Sequence, residues 1–515
     1  MTDLPLPTRT IVNVPDGMQP MILARLVEER LNAQPDAPVA LVFVARDGRR
    51  LQRMEDVLRP MLPGHTVLTL PAWDCLPYDR VSPNGVTIAA RMTTLSALSD
   101  PATRGAIVLT AVNAVIQKLP PREVVAKMSF AARAGEVVDS DSLVRWATLN
   151  GYLRVPTVRE TGEYAVRGGL VDLYPAGMET PLRFDFFGRQ LESIRTFDPA
   201  TQRTTGTLGG ISLTPMSEVL LNEETIKRFR ARYTAAFGGN TVDDPLYGAI
   251  SAGQRFPGLE HWLAFFYDHL DRLSDYTGDA PFVLDDQVRE AFADRAEQIG
   301  DYFDTREAAR LDRKTTAGGA PYNPVPPEQF YEIGGHPYRL TGGAALQLSS
   351  FAHPDETRTE DAGGRIGHNF AAERQAADVN LFEAVVRHLR SAGQRQRHTV
   401  IACWTDGSRD RMAQLLADHG LRHPRLAENW QDAVTTAPAT TALLVLPLES
   451  GFETDELVVL SEQDILGERL LRPQRRKRAA DALTEAASLA AGDLVVHVDH
   501  GIGRFLGLKQ IEAMG

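Results

Sequence analysis

Two hydrophobic rhythms alternate along the first 125 residues. PVALVFVA (Pro38 to Ala45) is an unbroken apolar run of strand length, and RDGRRLQRMEDVLRPML after it returns apolar residues at Leu51, Met54, Val57 and Leu58, the spacing of one helix face. TVLTL (Thr66 to Leu70) and GAIVLTAV (Gly105 to Val112) are two more fully apolar runs, with helical spacing between them from Ile88 to Leu98. Strands that are apolar throughout and separated by helices predict a parallel sheet covered on both faces. The rhythm changes near residue 155. LRFDF and QLESIRTF alternate apolar and polar residues on either side of Gly188 and Arg189, and GLVDLYP runs into a turn at Gly177. That predicts three or four short antiparallel strands inserted into the first domain.

Further on, Glu223 to Phe237 and Gln287 to Leu311 have helical spacing, and HWLAFFYDHL (His261 to Leu270) is an aromatic apolar patch. His353 to Asn369 is polar and glycine-rich and reads as a linker. A second α/β block follows. Asp378 to Ser391 is an amphipathic helix stopped by Gly393, HTVIACW is a strand, and Ser408 is the expected N-cap of a helix ending at His419. TALLVLPL and ELVVLSEQD complete a small parallel sheet. A basic connector (Arg469, Arg472, Arg475, Arg476, Lys477, Arg478) leads to a new β segment, AGDLVVHVDHGIGRFLGL. The sequence stops at Gly515 with only a hairpin's worth of that sheet, which predicts a truncated chain.

The 515 residues exceed a single core and predict two to four domains. With 55 Lys and Arg against 67 Asp and Glu the formal charge is −12, so contact with nucleic acid is expected to be local or indirect. Two distant cysteines, Cys75 and Cys403, argue against a disulfide framework and a cysteine zinc site. No apolar stretch reaches membrane-spanning length and MTDLPLPTRT lacks a secretory pattern, which predicts a cytoplasmic protein. The six lysines are Lys118, Lys127, Lys227, Lys314, Lys477 and Lys509, and none follows a glycine. A phosphate-binding loop needs that pair, because backbone amides wrap the phosphates while the lysine reaches the outer ones. GxxxxGK[ST] is therefore absent, and no catalytic residue is assigned.

Three groups of side chains invite a chemical reading. Glu462 and Asp464 follow a strand as acidic residues do in nucleotide hydrolases, but without a phosphate loop they are expected to be a solvated strand end. His497, Asp499 and His500 are too few to converge on a metal, and Gly501, Gly503 and Gly507 mark a tight turn instead. Arg183 and Asp185 share one face of a strand with Phe187 in phase, and Arg167 lies on the same module. An arginine beside an aromatic on one surface is typical of protein docking. The competing reading puts Phe187 in the core with the arginines merely exposed. The basic connector is either a solvated linker or a phosphate-neutralising run.

Three segments resemble one family, the Mfd-type transcription-repair coupling factors: Leu70 to Leu98, Gly162 to Thr204, and Gly492 to Leu508. The resemblance covers essentially the whole chain. It implies an α/β multidomain architecture: a UvrB-like, degenerate P-loop-type domain in two parts (1–128 and 218–345), an inserted antiparallel UvrA-recruiting module (129–217), a linker (346–376), and a small α/β domain (377–465). A basic linker (466–488) and the start of a Tudor or CarD-like barrel for RNA polymerase interaction (489–515) would follow. It also implies UvrA contacts at Arg167, Arg183 and Phe187, and polymerase contacts at Val496, His497, Val498 and Arg504, weakened by the incomplete barrel. ATP, magnesium and most DNA contacts would belong to translocase lobes beyond this span. So would the carboxy-terminal domain that masks the UvrA surface in the family, leaving that surface open here.

The departures from UvrB are specific. IVNVPDGMQPMILARLV has no GK[ST], and about ten residues between Tyr78 and Ile88 leave no room for a long damage-probing hairpin. The expectation is a non-catalytic amino-terminal half that recruits UvrA to stalled polymerase. Its rival is an active UvrB-type damage-recognition ATPase, which the missing glycine–lysine pair opposes.

Overall fold

The computed structural model describes residues 9–238, 241, 244–311, 322–334, 340–341, 345–352, 359–376, 378–422 and 424–467, and the backbone of 494–497 and 501–504. In the first domain seven strands form a wholly parallel sheet, in the order Thr359–Asp361, Arg9–Val12, Ala345–Leu348, Phe282–Leu284, Val39–Ala45, Ala106–Ala111 and Val67–Leu70. Val39–Ala45 is buried throughout because both of its faces are covered. Val42 and Val44 face one core with the Gly85–Ser99 and Val288–Leu311 helices. Leu41 and Phe43 face another with Gln19–Ala33 and Gly48–Met61. Asp47 and Asn84 cap two of these helices by accepting the Arg50 and Thr87 amides at 2.7 and 2.8 Å. The aromatic patch near His261 is buried, with Phe266 stacked on Phe229 at 4.9 Å.

The inserted module leaves this domain after the Arg122–Val125 helix and returns at Glu218. A fully buried ion pair pins the return. Glu218 accepts Arg91 Nε at 2.6 Å, Arg91 Nη2 at 3.2 Å and Trp73 Nε1 at 2.9 Å, while Arg91 Nη1 donates to the Pro71 carbonyl at 2.8 Å. The module itself holds more strands than its alternation predicts. Six form one sheet in the order Thr204–Leu208, Gln190–Phe197, Leu182–Phe187, Leu170–Leu173, Glu163–Arg167 and Leu153–Arg154, and Phe130–Arg133 pairs separately with Gly210–Leu213. The outermost two strands are largely exposed and carry no apolar rhythm.

The small domain is a six-stranded sheet in the order Arg365–Ile366, Phe452–Glu453, Leu457–Ser461, His398–Cys403, Thr441–Val445 and Arg425–Leu426. Its helices Leu381–Gln394 and Asp406–Asp418 cover one face. The other face shares a core with the Gln19–Ala33 and Gly48–Met61 helices of the first domain. The two domains meet closely: a Cβ at Gly17 would strike the Ser450 carbonyl, and Arg53 pairs with Glu449 at 2.9 Å.

Three expectations need correction. The expected linker supplies strands to both sheets. Thr359–Asp361 in the first and Arg365–Ile366 in the second are edge strands, which demand little apolar character, whereas Ala345–Leu348 lies inside the first sheet between Arg9–Val12 and Phe282–Leu284 and buries only its end residues Ala345 and Leu348. The N-cap is Thr405 rather than Ser408. Ser408 is the third helical residue, and its hydroxyl accepts the Thr405 amide in a reciprocal capping box. The preceding helix runs through Gly393, where a Cβ would collide with the Pro438 carbonyl, so that glycine serves close packing rather than termination.

Glu453 on the small domain's sheet gives a pH-dependent contribution. His388, then Arg397 at 2.8 Å, hold its carboxyl down at about 2. A depressed carboxylate contributes stability above its unfolded value, roughly pH 4.3, and loses it as pH falls towards the folded value. Glu453→Gln is expected to cost about 1 kcal/mol at pH 7, since the group is only part-buried. Hydrogen exchange of the neighbouring Leu457–Ser461 strand should show the gap narrowing below pH 4.5. A constant gap down to pH 3 would refute the assignment.

Candidate protein-docking face

Strand alternation turns one face of the module's sheet into the module core and the other outward, where Val158, Ala165 and Phe197 form a small second core over part of it. Tyr164, Val171, Leu173, Leu182, Phe184, Phe186, Leu191 and Ile194 point inward to one core. The residues between them build the outer face in rows across the strands. One row is Ala165, Asp172, Arg183 and Arg195, and the next is Arg167, Leu170, Asp185 and Ser193. Phe187 stands one row beyond, opposite Gln190.

The structure thus brings Arg167, Arg183 and Phe187 onto a single face, but they differ in availability. Phe187 is 75% exposed, which removes the core reading. Arg167 is exposed, donates to the Pro156 carbonyl and Thr157 hydroxyl at 2.7 and 2.8 Å, and pairs with no carboxylate among the described residues. Arg183 is not a free surface charge. Its side chain is only 16% exposed, with Nε and Nη2 donating to the two Asp172 oxygens at 2.7 and 2.8 Å and the guanidinium lying 4.7 Å over the Phe197 ring. The Asp172 bond, against the opposing effect of burial, raises its pKa further. Asp185 is likewise taken, by Arg195 at 2.6 Å. Most charge on the face is neutralised within it, leaving Phe187 and Arg167 as the groups open to a partner.

Of the residues expected at the polymerase contact, Val496 and His497 fall on the Leu494–His497 strand and Arg504 on the antiparallel Gly501–Arg504 strand, with Val496 opposite Ile502 and His497 opposite Gly501. Val498, Asp499 and His500 lie outside the described residues, as does the basic connector from Arg469 to Arg478.

Open α/β sheets hold ligands beyond the carboxyl ends of their strands. In the first domain that place is filled by the chain's own groups. Asp285, fully buried after the Phe282–Leu284 strand, accepts Gln19 Nε2 at 3.0 Å and lies 3.5 Å from Arg46 and from Arg50. Arg50 also donates to Gln19 Oε1 at 2.7 Å and the Asp16 carbonyl at 3.2 Å. Burial pushes the Asp285 carboxyl upward against the two arginines. The Asp16 carboxylate lies 3.4 Å from Arg46 and 3.6 Å from Arg50, so both arginines are paired with the chain's own acids.

Glu462 and Asp464 are not a solvated strand end. Both are buried. Glu462 accepts the Trp404 amide at 3.0 Å, and Asp464 accepts the Gly451 and Ser461 amides at 2.7 and 2.8 Å. Their work is to satisfy backbone donors at loops the sequence pattern does not show. Cys75 Sγ lies 4.0 Å from His261 Nε2, a pair the sequence could not align. Burial raises the thiol to about 12 and lowers the imidazole to about 4, so neither is charged at neutral pH and the pair is no activated nucleophile. Glu123, His269 and Asp271 gather on the surface, where Asp271 already accepts the Arg122 amide at 2.7 Å.

Comparison with known proteins gives three family matches. Residues 130–218 match the UvrB interaction domain, 393–465 the MFD D3 domain and 489–515 the CarD-like/TRCF RID domain. Similar curated proteins each carry the name transcription-repair-coupling factor. That of Rickettsia bellii is 28% identical over 88% of this chain and 39% of its own length. The Myxococcus xanthus protein is 31% identical over 87% and 38%, and the Escherichia coli protein 27% over 92% and 40%. The chain spans about two fifths of the length of these relatives.

Proposed function

The chain belongs to the transcription-repair-coupling factor family over the part of those proteins that it spans, and from that membership we propose that it is the recruiting, non-catalytic part of a coupling factor. The partner is UvrA, docking on the outer face of residues 129–217. Phe187 is the apolar anchor, Arg167 the charge that steers an acidic group, and Arg183 the residue that holds the face in order through Asp172. The observation that carries this reading is a fully presented aromatic on a sheet face whose other charges are largely paired. The segment 489–515 contributes to RNA polymerase contact through Val496, His497, Val498 and Arg504. ATP-driven translocation along DNA is the activity of the whole protein and is not asked of these residues, nor is a cofactor. Among the described residues no helix is long and apolar enough to cross a membrane.

Calorimetric titration with purified UvrA tests the docking face. Phe187→Ala is expected to weaken binding by about 2 kcal/mol, roughly thirtyfold, and Arg167→Ala by less. Unchanged affinity in both variants would overturn the assignment. Steady-state ATP turnover by this chain on damaged duplex would instead favour the UvrB-type ATPase.

A further inference from the structure

Five large apolar side chains among the described residues are more than 70% exposed: Val86, Val137, Phe187, Phe351 and Ile366. Two of them stand in one row. Phe187 pairs with Gln190 across the hairpin turn at Gly188 and Arg189, and Gln190 is bridged on its other side by Val137, which is 76% exposed. Directly paired residues on neighbouring antiparallel strands project from the same face, so Val137, Gln190 and Phe187 all face outward. With strands about 4.8 Å apart, the two apolar side chains flank Gln190 at about 10 Å. Their inward neighbours confirm the phase, since Val138, Phe186 and Leu191 all pack into the module core.

The Val137 segment is no loose loop. Gly135 N donates to the Leu191 carbonyl at 2.7 Å, Leu191 N to the Glu136 carbonyl at 3.0 Å, and Val138 N to the Arg189 carbonyl at 3.0 Å. A fixed backbone presents Val137 at little ordering cost on binding. Beyond Phe187 the next strand turns at Gly168 and Gly169, without side chains, and the exposed Arg167 lies one row back, opposite Leu170.

We infer that Val137 is a second apolar anchor for UvrA, so that the docking face is an uncharged Val137–Gln190–Phe187 ridge with Arg167 beside its far end. This rests on the recruitment reading above and deepens it. The complementary surface is an apolar groove with a carboxylate at one end. UvrA is the occupant because the ridge is continuous with the proposed docking face and lies inside the span that matches the UvrB interaction domain.

The test is titration of the intact chain with UvrA, with hydrogen exchange over 130–213 as a check on folding. Val137→Ser is expected to weaken binding about tenfold and Val137→Ile to leave it within about twofold, since the latter keeps the apolar knob. Leu153→Ser, on the opposite edge of the sheet, should leave affinity unchanged. Wild-type affinity in Val137→Ser alongside weakened Phe187→Ala would overturn the second anchor and leave the recruitment reading standing. No binding by the unaltered chain would overturn both. A concentration-dependent dimer abolished by Val137→Ser would also overturn the inference, because a second copy would then cover the ridge.

Discussion

Replacing Arg91 by leucine is expected to destabilise the chain by about 3–5 kcal/mol, the cost of leaving Glu218 buried without its cation. Both side chains are wholly inaccessible, and after the substitution the carboxylate keeps only the Trp73 indole N–H. Arg91→Leu combined with Glu218→Gln should recover a large part of the loss, because a glutamine oxygen can still accept from Trp73 while no charge stays buried. The position of the pair sharpens the expectation. Arg91 lies on the Gly85–Ser99 helix of the first domain, and Glu218 stands where the inserted module rejoins it. The neighbouring Tyr267 hydroxyl donates to the Glu218 carbonyl at 2.8 Å and accepts the Leu220 amide at 2.9 Å. Loosening should therefore concentrate at 214–221, visible as faster hydrogen exchange there alongside a lower denaturation midpoint. An Arg91→Leu chain with an unaltered midpoint would show that the bridge contributes no net stability.

That ion pair also marks the limit of what the amino-acid order reveals. The parallel sheet was legible because its strands are buried on both faces and so must be apolar throughout, as Val39–Ala45 and Ala106–Ala111 are. The phase of the Leu182–Phe187 strand was legible because alternation alone places Arg183, Asp185 and Phe187 together. Edge strands such as Arg365–Ile366 and Thr204–Leu208 were not, since one unpaired side and an exposed face impose no apolar rhythm. Polar networks were the least legible. Arg91 and Glu218 are 127 positions apart and Gln19 and Asp285 are 266, and no local pattern announces partners at such distances. Glu462 and Asp464 illustrate the same gap: the backbone donors they satisfy, at Trp404 and Gly451, belong to other loops. Val137 carries no motif at all, and only the bridge to Gln190 brings it beside Phe187.

Arg183→Ala is expected to cost the module about 2–4 kcal/mol of stability before any partner is added, because it strands the Asp172 carboxylate, whose side chain is almost wholly buried. A drop in UvrA binding by that single variant therefore cannot be read as a lost intermolecular contact. The cycle Arg183→Met, Asp172→Leu and the pair separates the two effects. Each single change leaves a half of the ion pair without its partner, whereas the pair removes both charges and should return stability to within about 1 kcal/mol of the unaltered chain. With Nε and Nη2 committed to Asp172 and the guanidinium plane over Phe197, little of Arg183 is left to offer a partner. The double variant is therefore expected to recover UvrA affinity to within about threefold of the starting value, less than 1 kcal/mol. Stability restored without affinity would instead make Arg183 a direct contact, reaching UvrA through Nη1, whose one bond within the chain is a long one to the Gln202 carbonyl at 3.5 Å. Phe187 should respond differently to the same measurements. It is three-quarters exposed, so Phe187→Ala should leave the denaturation midpoint nearly unmoved while affinity falls, a separation of stability from binding that Arg183 cannot show.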